Sequence, residues 1–346
     1  MKIGLVGFAG SGKTTVFNTL TGLDVPTGFG GQVHLGTVKV PDARIDKLSA
    51  MFKPKKTTYA EITFSDIPGE HGAEHHSLSR KALEPIRTQD VLCLVVRDFV
   101  KLAVEGKPDP AADLEAFHAE CVLADLDMVE RKLDRAKKEK TDPLDVAAFE
   151  LAKQTLESEL PLRSVPESAL HRDHFKGFAL LTDRPLLVVV NRGEDAAADP
   201  LPDALEKRIH ALSAAGLALS ASVEAEIAQM APADQAEFLA DLGVTESAIA
   251  RFIRTAYGLL DLISFFTVGE DEVRAWPIRR GTAAREAAGK IHSDLERGFI
   301  RAEVMPYEPF IELGSEHAMK EAGRFKVEGK DYVVADGDIL HVRFNV

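Results

Sequence analysis

The feature that most constrains this chain is a glycine-rich loop near its N-terminus. Residues 7–14 read Gly-Phe-Ala-Gly-Ser-Gly-Lys-Thr, which fits G-x-x-x-x-G-K-[ST], and they lie between an apolar run that ends at Val6 and a segment with helical spacing. In a strand, loop and helix of this kind, backbone N–H groups and the positive end of the helix surround phosphate oxygens. The sequence therefore predicts a nucleotide phosphate site, in which Lys13 reaches the β and γ phosphates and Thr14 binds Mg²⁺.

The order of apolar runs predicts the fold class. Segments with helical spacing separate short apolar runs, and this alternation is typical of an α/β fold whose mostly parallel sheet has helices on both faces. The strands predicted after Val6 are 35–40, 62–66, 91–96, 186–190 and 217–222.

Two parts of the chain depart from this alternation. The interval between the strands at 91–96 and 186–190 is too long for one crossover, and its apolar residues recur every three or four positions, so we expect a helical hairpin that turns near 141–143. After Leu262 the sequence changes to short apolar segments with one clear helix at 283–295, which predicts an α+β module of about 80 residues. The strands predicted for that module are 273–278, 299–304, 325–327, 332–334 and 339–344.

A second motif follows the strand at 62–66. Asp66-Ile67-Pro68-Gly69 has the D-x-x-G form of nucleotide-switch domains, in which the Asp holds Mg²⁺ through water and the glycine N–H senses the γ-phosphate. Such a sequence is otherwise a common turn, so the interpretation depends on its place after the phosphate loop. We predict Lys13, Asp66 and Gly69 as catalytic residues, and Thr14 and Asp66 as metal-binding residues.

The choice of base is predicted from residues 191–194, Asn-Arg-Gly-Glu, after the strand at 186–190. GTPases use N-K-x-D, because the Asp carboxylate accepts from two guanine donors. Glu194 has one more methylene, which misplaces the carboxylate, and adenine has an acceptor at N1. Guanine selectivity should therefore weaken while Asn191 still bonds a purine edge, and ATP becomes the predicted nucleotide.

Composition limits the possible partners. The chain has 346 residues, of which 55 are acidic and 42 basic, for a formal charge of −13. Such a balance argues against non-specific binding of nucleic acid, and we expect no DNA partner. The apolar run at the N-terminus is too short for a signal peptide and no stretch approaches about 18 apolar residues, so we expect a cytoplasmic protein with no membrane partner. Two cysteines cannot form a disulfide framework.

Longer stretches of the chain resemble the YchF or Obg-like ATPases, a family of P-loop proteins of the translation-factor class. The resemblance extends over nearly the whole chain and is most specific in its C-terminal part. The stretches that carry it are 40–48, 53–55, 124–126, 191–194, 224–227, 272–276, 287–292, 298–304, 329–334 and 344–346.

The resemblance implies an α/β protein of three parts. These are a Ras-like P-loop nucleotide-binding domain at 1–100 and 178–262, a helical, coiled-coil insertion at 101–177, and a C-terminal β-grasp (TGS) domain at 263–346. It also implies that the protein binds ATP and Mg²⁺, hydrolyses ATP slowly in preference to GTP, and associates with the ribosome. With the phosphate loop included, the predicted nucleotide-binding residues are Gly10, Ser11, Gly12, Lys13, Thr14, Thr15, Asn191, Arg192, Glu194, Ser220 and Ala221.

The chain departs from the family pattern in its loops. Gly10 stands where the family has an Asn that is associated with potassium-stimulated hydrolysis, so dependence on potassium is not expected. Gly30 stands where the family has the switch threonine that reaches Mg²⁺.

The residues after Gly69 also differ from the family, which has a hydrophobic residue there. Glu70 would repel a γ-phosphate unless Mg²⁺ compensates or the side chain turns away, so the residue that positions the attacking water is not identified. His71, His75 and His76 are interpreted as part of a polar loop rather than as a metal site.

Three functions agree with these residues. The first is a regulatory ATPase, with GTP as an open alternative, whose nucleotide state is read by a ribosomal partner. The second is a P-loop kinase for a small molecule, although the sequence has no obvious arginine-rich lid. The third is a nucleotide-stabilised scaffold with little hydrolysis. A local basic group is a candidate RNA-facing surface, and it consists of Arg274, Arg279, Arg280 and Arg285.

Overall fold

The computed structural model describes residues 1–27, 32–68, 80–100, 106–138, 141–241 and 246–345. Its contacts divide the chain into two compact units. The first comprises residues 1–38 and 63–259, and the second comprises residues 39–62 and 260–346. Within the described ranges, no helix is both long enough and apolar enough to cross a membrane.

The first unit is built on a sheet with the strands β1 (Lys2–Val6), β2 (His34–Lys39), β4 (Glu61–Asp66), β5 (Val91–Asp98), β6 (Leu186–Arg192) and β7 (Ala215–Leu219). Their order across the sheet is β2-β4-β1-β5-β6-β7. The pairs β1–β4, β1–β5, β5–β6 and β6–β7 are parallel. Nearly every residue of β5 and β6 is buried, as expected for central strands covered on both faces. The predicted α/β fold is confirmed.

Helices cover this sheet and form the insertion. Short 3-10 turns lie at Leu162–Ser164, Arg172–Phe175 and Glu194–Ala196. The helices of the first unit are α1 (Lys13–Thr21), α3 (Arg80–Arg87), α4 (Pro110–Ala136), α5 (Pro143–Glu157), α6 (Glu167–Leu170), α7 (Asp203–Ala211), α8 (Ala221–Gln229), α9 (Pro232–Asp241) and α10 (Ala248–Leu259).

The predicted helical hairpin is present as α4 and α5. Each begins with proline in its first turn, and the Asp before it, Asp109 or Asp142, accepts a hydrogen bond from a backbone N–H of that turn. The ring of Phe149 on α5 packs against Phe175, with centroids 4.8 Å apart. The insertion therefore has an apolar core of its own, to which residues of α4, α5 and the returning segment contribute.

The second unit contains a mixed sheet and short helices. The strand order is β11-β10-β12-β8-β9-β3, with β12–β8 and β3–β9 parallel and the other pairs antiparallel. The strands are β3 (Lys56–Thr58), β8 (Leu262–Thr267), β9 (Glu272–Arg279), β10 (Phe299–Pro306), β11 (Lys326–Glu328) and β12 (Asp338–Phe344), and the helices are α2 (Ala43–Phe52), α11 (Ala284–Ile291), α12 (Ser293–Arg297), α13 (Tyr307–Leu313) and α14 (Glu316–Glu321).

Residues 39–62 belong to this second unit, although the sequence analysis assigned them to the nucleotide-binding domain. Lys56 of β3 pairs with Glu272 of β9, and Ile45 and Leu48 of α2 are fully buried in the core of the unit. A segment that interrupts the first sheet thus completes the second one. The division into three domains with the boundaries given above stays a prediction.

In the second half of the chain, some elements were not predicted and two predicted strands were wrong in part or in whole. Residues 262–267 form a strand that was not predicted. The helices α13 and α14 were also not predicted, because each is only one or two turns long and depends on tertiary contacts. Residues 332–334 make only an isolated bridge, between Ala283 and Val333. The strand predicted at 217–222 ends at Leu219, because Ser220 is already the residue before α8.

Candidate nucleotide-binding site

The predicted site residues meet at the carboxyl edge of the parallel sheet in the first unit. Asp66 ends β4 beside Leu5 of β1, and Asn191 lies next to Leu219, the last residue of β7. Ligands of open α/β sheets bind at this edge, because the loops that leave adjacent parallel strands converge there. Residues far apart in the sequence, from Lys13 to Ala221, are thereby brought to one place.

The glycine-rich loop closes tightly onto the start of α1. The Ser11 N–H donates to the Phe8 carbonyl at 3.3 Å, and Gly10 and Gly12 have positive φ angles of 82° and 87°. A Cβ atom on Gly12 would lie 2.2 Å from Asn191 Nδ2, so only glycine fits at this position. Because α1 begins at Lys13, its unpaired N–H groups and the positive end of its dipole face the loop.

The side chain of Lys13 is held inside the loop. It is 7% exposed, and its Nζ donates to the carbonyls of Gly7 at 2.7 Å and Phe8 at 3.3 Å. Burial lowers the pKa of Lys13 to about 8, and the nearby Asp66 carboxylate opposes this shift. An anion beside the ammonium group would favour its charged form, so the loop is suited to a phosphate.

Thr14 and Asp66 form the predicted metal pair. The Thr14 hydroxyl donates to Asp66 Oδ2 at 2.9 Å, although the two residues are 52 positions apart. Asp66 Oδ1 and the Ser11 hydroxyl are buried and have no hydrogen-bond partner among the described residues. Buried polar atoms ordinarily have partners, and hydroxyl and carboxylate oxygens are the ligands that Mg²⁺ prefers. The residues therefore fit a phosphate-bound Mg²⁺ ion.

The amide of Asn191 joins the phosphate loop to the first residue of α8. Its Nδ2 donates to the Ser11 carbonyl at 3.1 Å, and its Oδ1 accepts from the Ala221 N–H at 3.1 Å. Thr19 adds a second connection, because its hydroxyl lies 2.8 Å from the Thr15 carbonyl and 3.3 Å from the Ala221 carbonyl.

The structure thus brings together the predicted residues of the phosphate loop, Asn191 and Ala221. Ser220 is buried beside them, with its hydroxyl 3.1 Å from that of Ser222.

Arg192 and Glu194 have different environments, although both were predicted to bind the nucleotide. The Arg192 guanidinium is buried and donates to Asp98 and to the carbonyls of Asp199 and Pro200. Glu194 is exposed in the 3-10 turn Glu194–Ala196. Its carboxylate is accessible to a ligand, whereas the guanidinium of Arg192 is occupied by the protein. A nucleotide contact by the Arg192 backbone stays a prediction.

Some predicted residues lie outside the described part of the chain. These are Gly69, Glu70, Gly30 and the three histidines His71, His75 and His76.

Sequence reasoning missed Asp98 and Phe99, which follow one another at the end of β5. A Cβ on Gly193 would lie 3.9 Å from Phe99 Cβ, and a Cβ on Gly12 would lie 3.8 Å from Phe99 Cε1. The available signal was their place at the carboxyl end of a strand next to the phosphate loop.

The predicted basic group lies in the second unit. The Arg274 guanidinium stacks on the Trp276 ring, 3.9 Å from its centroid, and Arg280 pairs with Asp261 at 3.0 Å. Arg285 donates to the Glu296 carbonyl at 3.2 Å, and Arg279 is exposed at the end of β9. Three of the four arginines are thus engaged within their own unit, and an RNA contact by this group stays a prediction.

Two family descriptions match the chain. Residues 2–126 match the family described as "50S ribosome-binding GTPase", and residues 262–345 match YchF-GTPase_C, which is described as a protein of unknown function.

Similar proteins match over the full length. The ribosome-binding ATPase YchF of Bacillus subtilis strain 168 is 39% identical over 364 residues, which cover 100% of both chains. Obg-like ATPase 1 of Oryza sativa subsp. japonica is 36% identical over 366 residues, which cover 100% of this chain and 92% of that protein. The solved structure of the Schizosaccharomyces pombe YchF GTPase has a TM-score of 0.86 and 30% identity, with 99% of this chain and 97% of that chain covered.

These matches extend through the phosphate loop, the insertion and the C-terminal unit, and they confirm the resemblance inferred from the sequence motifs. This chain belongs to the YchF family.

Proposed function

We propose that this protein is an ATP-binding, slowly ATP-hydrolysing nucleotide switch that acts on the ribosome. The observation that carries the proposal is the meeting of three groups at one sheet edge, namely the ammonium of Lys13, the Thr14–Asp66 pair and the amide of Asn191. The full-length relatives named ribosome-binding ATPases support the same interpretation.

The phosphates and Mg²⁺ are assigned to the phosphate loop. When bound, Mg²⁺ would offset the charge of the phosphates and orient them. Thr14 supplies a hydroxyl oxygen and Asp66 a carboxylate oxygen on the metal side, while Lys13 supplies a positive charge on the phosphate side. Gly69 is proposed to sense the γ-phosphate through its N–H.

Adenine is proposed as the base because the chain has Glu194 where GTPases have Asp. The names of the relatives differ on this point, since the bacterial and rice proteins are called ATPases and the fission yeast structure is called a GTPase. The carboxylate of Glu194 is exposed and therefore accessible to a ligand, which supports the proposal.

Slow hydrolysis is proposed because the sequence has Glu70 after Gly69, where Ras-like enzymes have the glutamine that orients water. Positioning and charge stabilisation limit phosphoryl transfer, so a partner that supplies either one should accelerate it. The ribosome is the proposed partner, which puts the protein in the cytoplasm. The insertion at 101–177 and the β-grasp (TGS) domain at 263–346 are proposed to read the nucleotide state to that partner.

The base assignment is tested by competition of Mg-ATP and Mg-GTP against a fluorescent nucleotide. We expect the wild type to prefer ATP, and Glu194→Asp to shift the ratio toward GTP by about tenfold, the size of a hydrogen bond to a charged group. Glu206→Asp, at an exposed position of α7, is the matched control and should leave the ratio unchanged. Equal affinities in the wild type would reduce the assignment to an unspecific purine nucleotide switch.

The ribosomal part is tested by phosphate release from Mg-ATP with and without ribosomes. Acceleration by ribosomes is expected, and it should disappear in Lys13→Ala, which removes the cation of the phosphate loop. Tight ATP binding with no release in either condition would contradict hydrolysis and favour a nucleotide-stabilised scaffold.

A further inference from the structure

Arg192 lies at the last position of the β5–β6 pair, directly across from Asp98. Successive side chains of a strand point to opposite faces, so Asn191 turns toward the phosphate loop and Arg192 turns away from it. The Arg192 side chain is 3% exposed. Its Nε donates to Asp98 Oδ2 at 3.2 Å, and its Nη1 donates to the carbonyls of Asp199 at 2.7 Å and Pro200 at 3.1 Å.

These contacts close the loop that carries Glu194. The chain leaves β6 at Arg192, makes the 3-10 turn Glu194–Ala196, and returns to the Arg192 guanidinium at residues 199–200. Within the loop the backbone hydrogen bonds are long, such as 3.3 Å from the Ala197 N–H to the Glu194 carbonyl. Glu194 is exposed, so its own packing contributes little to its position.

We propose that Arg192 and Asp98 position the base-selecting loop, residues 193–200, so that purine recognition depends on two side chains that do not touch the nucleotide. The inference rests on the proposed function, since it requires that residues 191–194 meet the purine. A planar guanidinium suits this role, because it can bind a carboxylate and two carbonyls at once in a fixed geometry.

The test compares Arg192→Met with wild type in the full chain. The readout is the ratio of the dissociation constants of Mg-tripolyphosphate and Mg-ATP, which isolates the contribution of the nucleoside from that of the phosphates. We expect this ratio to fall about tenfold in Arg192→Met, the scale of a lost hydrogen bond to a charged group, and the preference for ATP over GTP to fall with it. A general loss of folded protein would weaken tripolyphosphate and ATP alike, so it would not change the ratio.

Arg172→Met is the matched control. Arg172 also binds carboxylates, Asp183 at 2.7 Å and Glu167 at 2.8 Å, and it donates to the backbone carbonyls of Leu162 at 3.1 Å and Val165 at 3.0 Å, away from the predicted nucleotide site. Its loss should remove a comparable set of hydrogen bonds and leave both ratios unchanged. A fall of the same size in Arg172→Met would overturn the proposal.

A second variant and a second measurement keep the proposal open to refutation. Asp98→Asn keeps the size of the side chain and removes its charge, and we expect a smaller fall of the same ratio. Amide hydrogen exchange of residues 193–199, without nucleotide, should be faster in Arg192→Met than in wild type.

The proposal would be overturned if Arg192→Met changed neither the two affinity ratios nor the amide exchange of the loop. If Arg192→Met does not fold, the same measurements on Asp98→Asn decide, and unchanged ratios and exchange in that variant would overturn the proposal. If wild type binds tripolyphosphate as tightly as ATP, the proposed function fails by itself, and the exchange experiment still decides whether Arg192 holds the loop.

Discussion

Asp125 on α4 is fully buried and accepts three hydrogen bonds. Arg87 Nη1, at the end of α3, lies 2.9 Å from Asp125 Oδ1, and the Thr182 N–H and hydroxyl lie 2.7 and 2.8 Å from Oδ2. Arg87 also donates to the Ala179 carbonyl at 2.9 Å. One carboxylate therefore joins α3, the insertion and the segment that returns from it.

Replacement of Asp125 by Ala should be costly. The Arg87 side chain is only 17% exposed, so it would keep its charge in a buried position without its partner. Breaking a buried ion pair from one side costs about 3–5 kcal/mol, and the two groups of Thr182 would lose their acceptor as well. Burial raises the pKa of Asp125, and the hydrogen bonds from Thr182 and the charge of Arg87 oppose this shift.

Asp127→Ala is the matched control, two residues along the same helix. Asp127 is 46% exposed and pairs with Arg131 one turn away. An exposed pair at this spacing contributes about 0.3–0.5 kcal/mol, so the control should cost far less than Asp125→Ala.

The measurement is urea unfolding followed by circular dichroism at 222 nm, which reports mainly on the helices of the first unit. Fluorescence of Trp276, the one tryptophan of the chain, reports on the second unit in the same experiment. We expect the circular dichroism midpoint to fall strongly in Asp125→Ala only. Equal midpoints for Asp125→Ala and Asp127→Ala would refute the argument that this buried pair holds the base of the insertion.

Four further predictions concern the phosphate loop. Gly12→Ala should abolish nucleotide binding, measured by fluorescence competition, because the new Cβ would collide with Asn191. The control is Gly22→Ala, which should bind nucleotide normally because Gly22 also has a positive φ but has open space around it. ATP affinity should fall as the pH rises past about 8, because Lys13 loses its proton there. A Lys13→Arg variant that binds ATP without such a fall would support Lys13 as the cause. An ATP affinity of the wild type that stays unchanged to pH 9.5 would exclude it. Over the same range the unfolded chain holds the Lys13 proton up to its ordinary pKa of 10.5, so the free protein should gain stability as the pH rises from about 8 to 10.5, as measured by urea unfolding. Thr14→Val should raise the Mg²⁺ concentration needed for ATP binding, and Thr14→Ser, which keeps the hydroxyl, should restore the wild-type value.

Most of the first unit could be predicted from the sequence because its signals are local. A buried parallel strand is a run of apolar residues, and β5 and β6 were therefore recognised within two residues of their ends. The hairpin of α4 and α5 was recognised from helical spacing and from Pro143 at the start of its second helix. The second unit was predicted less well, since its short elements, such as α13 and α14, depend on tertiary packing more than on pattern.

The residues of the candidate site also differ in how well the sequence predicted their roles. The motif predicted that Lys13 and Thr14 would serve phosphate and metal, because a G-x-x-x-x-G-K-[ST] loop has one common geometry between a strand and a helix. The motif at 191–194 did not indicate which of its side chains face the phosphate loop and which face away from it. Asn191 and Arg192 are adjacent in sequence, yet the pleat of the strand directs one amide to the phosphate loop and one guanidinium to Asp98.

The sequence by itself determined the class of fold, the phosphate loop and the family, because each is written in contiguous residues. Only the tertiary structure decided which distant residues meet. The Thr14–Asp66 hydrogen bond spans 52 positions and the Asn191–Ser11 hydrogen bond spans 180, and segment 39–62 completes the second sheet through the pairing of β3 with β9. Such contacts depend on strand order and register, which are set by the packing of the whole sheet rather than by any local pattern.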